Sequence, residues 1–239
     1  MKRLVIAGAL AFAAAGQALA ADLPQPAPPP PQAPAAYVPT VAPVYNWGGV
    51  YFGVNGGYGF GSSEQTSAIG TTTGNFDVSG FLVGGTIGAN FQADAFVFGI
   101  EGDFDGSWME GSSGTASCAS GGAFVQCETK NSWLSTIRGR IGYAADRVLF
   151  YGTAGGAFGN IEQGANGAAN SSFANANKAG WTAGAGIEAA FADNWTARVE
   201  YLFVDLSNAS FTSVAPFTGS TTVKFNANLI RLGLDYKFR

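Results

Sequence analysis

The sequence predicts an all-β fold: an eight-stranded antiparallel transmembrane β-barrel, preceded by a signal peptide and a Pro-rich periplasmic linker. Three observations carry this. From Trp47 onward, apolar residues alternate with small or polar ones at period two, the pattern of strands rather than helices. Tight turns alternate strictly with long polar segments, the connection pattern of outer-membrane barrels. All five Trp stand at strand ends, where amphipathic rings form girdles at the two membrane interfaces.

Residues 1–20 read as the signal peptide. Met1-Lys2-Arg3 is positive, residues 4–15 are apolar, and Ala18-Leu19-Ala20 supplies a small-x-small cleavage site. The apolar run is shorter than the roughly 20 residues a spanning helix needs. Residues 21–46 are rich in Pro and Ala, with Pro28 to Pro31 consecutive, and are expected to form a semi-extended linker without a core. Residues 47–239 would form the barrel.

Composition narrows the function classes. Cleavage removes Lys2 and Arg3, so 12 basic residues become 10 against 16 acids, and the net charge moves from -4 to -6. No basic stripe remains, which argues against a nucleic-acid partner. The chain contains no His, the commonest general base and metal ligand. Only 12% of residues are charged, about half the usual share of a soluble domain. No apolar run after the signal approaches 18 residues, so the membrane would be crossed by strands whose alternate residues meet lipid.

Eight strands follow from the alternation. In the first, Val50, Phe52, Val54, Tyr58 and Phe60 oppose Tyr51, Gly53, Asn55, Gly57 and Gly59. The second, about residues 77–91, points Val83, Ile87, Ala89 and Phe91 outward and Gly84, Thr86, Gly88 and Asn90 inward. In the third, Phe96, Phe98, Ile100 and Phe104 oppose Val97, Glu101, Asp103 and Asp105. The fourth sets Ile137, Ile141 and Tyr143 against Thr136, Arg138 and Arg140. The fifth, 148–158, is a strand whose two faces look alike. The sixth carries Trp181, Ala183, Ala185, Ile187 and Phe191 opposite Thr182, Gly184, Gly186 and Glu188. The seventh carries Ala197, Val199, Tyr201 and Phe203 opposite Thr196, Arg198 and Glu200. The last ends with Ile230, Leu232, Leu234, Tyr236 and Phe238 against Arg231, Gly233, Asp235 and Lys237.

Short turns are expected at Ala93-Asp94, Ala145-Asp146 and Asp193-Asn194, and long polar loops at 61–75, 109–132, 160–178 and 206–222. This arrangement would put Trp47 and Trp195 at the periplasmic rim and Trp108, Trp133 and Trp181 at the outer rim. It would also keep both termini in the periplasm.

The inward charges are the main candidate site. Glu101, Asp103 and Asp105 should face Arg138 and Arg140, with Glu188, Arg198, Glu200, Arg231, Asp235 and Lys237 in the same interior. An eight-stranded barrel has room only for side chains. These groups are therefore expected to pair and close the lumen rather than line a pore. Paired carboxylates could also suggest catalysis, but the neighbouring arginines favour structural ion pairs. Gly184-Ala185-Gly186-Ile187-Glu188-Ala189 spells a nucleotide-binding fingerprint, yet it lies within one strand and lacks the following helix. Its glycines are better explained as space for large lumen side chains. Cys118 and Cys127, close together in an exported chain, suggest a local disulfide.

Four strand segments carry a family resemblance: Gly99-Ile100-Glu101-Gly102-Asp103-Phe104, Arg138-Gly139-Arg140-Ile141-Gly142-Tyr143, Gly180-Trp181-Thr182-Ala183-Gly184-Ala185-Gly186 and Arg231-Leu232-Gly233-Leu234-Asp235-Tyr236. They resemble the alphaproteobacterial outer-membrane immunogenic proteins, small porin-family barrels related in shape to the OmpA membrane domain. The resemblance implies an outer-membrane surface antigen surrounded by lipid and lipopolysaccharide and inserted by the barrel-assembly machinery. Such barrels usually end on an aromatic residue that this machinery reads, whereas Arg239 follows Phe238 here. Enzymes among related barrels rely on His, so no catalytic role and no cofactor is expected. Some relatives are described as haem binders, which this His-free chain fits poorly. In related barrels an Ala-Asp mature N-terminus is joined to peptidoglycan by L,D-transpeptidases, and Ala21-Asp22 matches that dipeptide. The leading function is therefore a structural envelope barrel displaying four loops, with a surface adhesin or ligand-binding barrel, or a small-solute porin, as alternatives.

Overall fold

The computed structural model describes residues 45–67, 72–114, 118–120, 123–166, 171–212 and 220–238. The expected signal peptide and the expected linker up to residue 44, Ala21 and Asp22 included, lie outside the described residues. Nine strands are present among those described: β1 (Gly49–Ser67), β2 (Thr72–Ala93), β3 (Phe96–Ser112), β4 (Cys118–Ser120), β5 (Ala123–Ala145), β6 (Val148–Asn166), β7 (Ser171–Ala190), β8 (Trp195–Thr212) and β9 (Ser220–Phe238). Each long strand pairs antiparallel with its neighbours in the order β3-β2-β1-β9-β8-β7-β6-β5, and β3 pairs with β5 to close the ring. The eight-stranded barrel is thus complete, and the short β4 pairs only with the far end of β5.

The walls follow the alternation. Phe91 and Ile100 are each 70% exposed on the outside, an arrangement that water would oppose and hydrocarbon favours. On the opposite faces of the same two strands, Thr86, Val97, Glu101 and Asp103 are buried inside. The fifth predicted strand, β6, resolves into Leu149, Tyr151, Thr153 and Ala157 inward and Phe150, Ala154 and Phe158 outward. Its faces look alike in sequence because apolar side chains occupy both.

At one end, short turns join β2 to β3, β5 to β6 and β7 to β8. Asp94 and Asp146 open two of them at φ of 52°, the left-handed region that Asp tolerates better than most residues. The opposite end differs from the predicted loops. Strands run on through most of 61–75, 109–132, 160–178 and 206–222. At 17–23 residues each, the eight long strands far exceed the roughly 9–11 that cross a bilayer. The cause is the ladder itself. Polar side chains on the outside carry no penalty above the membrane, and continued pairing satisfies every backbone group. Irregularities between Gly106 and Met109, Lys130 and Leu134, and Leu206 and Ala209 mark this transition.

Candidate functional site: the filled lumen

Inside the barrel, side chains form stacked layers. The central one is a belt of buried charge. Arg138 is the hub, donating to Glu101, to Asp103 Oδ2 at 2.7 Å, to Glu200 Oε1 at 2.8 Å and to Thr136 at 2.9 Å. The direct cross-strand pairing of Glu101 with Arg138 comes from the β3–β5 register. Arg231 donates to Glu200 Oε2 at 2.6 Å and Asp105 Oδ2 at 2.8 Å. Arg198 reaches Glu101 Oε2 at 2.5 Å and Thr86 at 2.7 Å, with Asp235 3.4 Å away. Arg140 donates to Glu188 at 2.7 Å. Strands on opposite walls are therefore cross-linked through the axis.

Several members of this belt were not singled out in the sequence. Tyr51 donates to Glu101 Oε2 at 2.6 Å and accepts from Arg140 at 2.9 Å. Tyr151 donates to Glu200 at 3.2 Å, and the Arg140 guanidinium lies 4.0 Å from its ring centroid. Thr196 donates to Glu188 at 2.7 Å. Glycines make room for these groups. A Cβ on Gly186 would stand 2.5 Å from the Tyr151 hydroxyl, and one on Gly88 2.3 Å from that of Tyr51. The glycines of the fingerprint-like stretch thus serve packing.

An apolar layer fills the long-hairpin side of the belt, with Leu82, Met109, Leu134, Ile161, Leu202, Leu206, Phe225 and Leu229 all buried in one cluster. Beyond it sits a neutral polar layer. Gln163 donates to Gln65 at 3.0 Å, Gln65 donates to Thr129 at 3.1 Å, and Ser63 lies 3.2 Å from Thr129.

The short-turn mouth holds a second apolar cluster of Tyr45, Trp47, Val97, Leu149, Tyr151 and Ala190. This corrects the expected girdle at Trp47, which is fully buried. Trp47 precedes β1, so the strand's in-out alternation does not hold it, and its Nε1 donates to the Asp146 carbonyl at 3.0 Å. Trp108, Trp181 and Trp195 do face outward, and Trp133 stacks on the outward Phe104 at 5.9 Å. Lys237 is interior but stands at this mouth, 4.1 Å from the Tyr45 ring centroid, apart from the arginine belt.

Cys118 pairs through its backbone with Val125, and Cys127 is buried. The Cys118 side chain lies outside those described. A bridge between them would close a loop of about ten residues and remove roughly 2.5 kcal/mol of unfolded-state freedom in the chain-entropy model. We expect no thiol to titrate in unreduced, denatured protein, and a double Cys→Ser variant to insert normally. Two reactive thiols would dismiss the bridge.

A closed antiparallel barrel with an apolar outer wall and a filled interior defines a small outer-membrane β-barrel. The chain belongs to the outer membrane protein beta-barrel domain family, which it matches over residues 6–238. It is 38% identical over 216 residues to the 31 kDa outer-membrane immunogenic protein of Brucella melitensis, covering 84% of this chain and 88% of that one. The 25 kDa outer-membrane immunogenic protein of Brucella canis is 35% identical over 240 residues, covering 100% and 99%. The 22 kDa outer membrane protein of Rhizobium leguminosarum bv. viciae is 32% identical over 201 residues, covering 83% and 81%. The family is thus the alphaproteobacterial outer-membrane barrels, and the protein's compartment is the outer membrane.

Proposed function

We propose that this protein is a structural barrel of the envelope, non-enzymatic and closed to solutes. Its short turns lie in the periplasm and its extended hairpins outside, among lipopolysaccharide. The observation that carries the reading is the sequence of filled layers along the lumen: aromatic mouth, charge belt, apolar layer and polar cap. A diffusion channel needs a continuous water path, whereas every layer here places side chains across the axis. Among the described residues the belt carboxylates lie buried against arginines and hydroxyls, Asp235 through Arg198 alone at 3.4 Å, which favours a structural over a catalytic role. The immunogenic names of the relatives accord with hairpins displayed at the surface. Reconstituted monomer in planar bilayers should show rare or no stable openings. Large ohmic channels would reject the closed-barrel reading and favour a porin.

The reading includes a wall tether through Ala21. A free α-amino group, with a reference pKa of about 7.7–8.0, is partly neutral near pH 7 and can attack an acyl-enzyme. The amine then forms an amide with the peptidoglycan acyl group as the enzyme leaves. If extended as polyproline, residues 21–44 could reach about 75 Å. Sacculi digested with trypsin and muramidase should yield an Ala21 peptide carrying a muropeptide. Finding only free Ala21 amine, in cells with active L,D-transpeptidases, would remove the tether.

A further inference from the structure

The segment between arm and barrel is fastened more elaborately than closure of the mouth requires. Trp47 donates its backbone N–H to Gln92 Oε1 at 2.6 Å, and Gln92 in turn donates to the Asp94 carbonyl at 2.7 Å, in the β2–β3 turn. Tyr45 donates its backbone N–H to Asp146 Oδ1 at 3.2 Å, and the Trp47 indole donates to the Asp146 carbonyl. Asp146 belongs to the β5–β6 turn and is held at positive φ. Lys237 Nζ donates to the Asn46 carbonyl and faces the Tyr45 ring. The Lys237 backbone is gripped twice by Asn194 of the β7–β8 turn, at 2.8 and 2.7 Å. Three residues thus connect to all three short turns, while Tyr45 and Trp47 meet edge to face, centroids 4.9 Å apart, inside the mouth.

The position of this fastening in the chain gives it mechanical meaning. Tension arriving along the arm reaches Tyr45–Trp47 before it reaches β1. Without the fastening, the load would fall directly on β1, whose first pairs are Gly49 with Asn90 and Val50 with Phe238. With it, two buried rings and several hydrogen bonds on separate hairpins must yield together. We propose that Tyr45–Trp47 is a mechanical clamp that distributes tension from the N-terminal arm to the three periplasmic turns and shields the β1–β9 seam. The proposal rests on the arm serving as a tether, but it can be tested apart from the attachment chemistry.

The mature protein, inserted in lipid bilayers, is pulled through a handle at its N-terminus in single-molecule force spectroscopy. The first rupture should occur at a contour length that ends before Gly49, followed by extraction of the β1–β2 hairpin. In a Tyr45→Ala/Trp47→Ala variant that rupture should be lost, with extraction starting directly at β1. Heat-dependent migration in SDS gels checks that the variant barrel is folded. If it is not, Asp146→Ala removes one acceptor while keeping both rings, and should lower the first rupture force. A wild-type first rupture that already contains β1, or variant traces that superimpose on wild type, would overturn the clamp. A mere space-filling role would alter stability without moving the first rupture. Clamp ruptures in a protein whose Ala21 is never linked to muropeptide would retain the clamp and discard only the tether.

Discussion

Replacing Arg138 with Met should be among the most damaging single changes in the barrel. Arg138 is buried and holds Glu101, Asp103 and Glu200 at once. Its loss leaves buried carboxylates without their shared cation. Removing one partner of a buried charge network typically costs about 3–5 kcal/mol. The half-exposed Lys130, 3.7–3.8 Å from Glu128 and Glu110, provides the contrast, because surface ion pairs contribute about 0–1 kcal/mol. Urea titration in vesicles should therefore shift strongly for Arg138→Met and barely for Lys130→Met. Equal small shifts would mean that the belt carboxylates find protons or water so readily that the network contributes little. Effects of a second substitution in the belt, such as Arg231→Met, should not add to the first, since Asp103 and Glu200 are shared by both arginines.

The belt was legible in the sequence because in-out alternation is strict within the lipid zone. Period two assigned Glu101, Arg138, Arg198 and Arg231 to the inside before any partner was known, and the register then decided which pairs meet. Three kinds of feature were less legible. Tyr151 lies on a strand with apolar residues on both faces, so alternation alone could not orient it. Thr129 and Cys127 precede an irregularity between Lys130 and Leu134 that reverses which residues of β5 point inward, and a bulge leaves little trace in composition. Trp47 stands ahead of β1, where the chain is freed from the pleat and hydrogen bonds to the turns decide orientation. Above the membrane the outer face turns polar, the contrast between faces fades, and extended hairpins read as loops.

This last difference has a measurable consequence at Leu206. The sequence places it at the start of a polar loop, where truncation to Ala would change stability by no more than about 0.5 kcal/mol. The structure places it wholly buried in the apolar layer, close enough that a Cβ on Gly159 would stand 2.9 Å from its Cδ1. Leu→Ala at a packed interior site costs about 2–5 kcal/mol, and the rigid barrel wall limits how far neighbours can collapse into the gap. Leu206→Ala should accordingly lower the urea midpoint about as much as Leu202→Ala, which sits on the same strand and in the same layer. Proteolysis from outside should also cut the variant's hairpins faster, because the layer is what keeps them paired beyond the lipid. If Leu206→Ala instead behaves like a surface change while Leu202→Ala does not, the apolar layer ends below Leu206. The hairpins would then be mobile loops rather than an extension of the barrel wall.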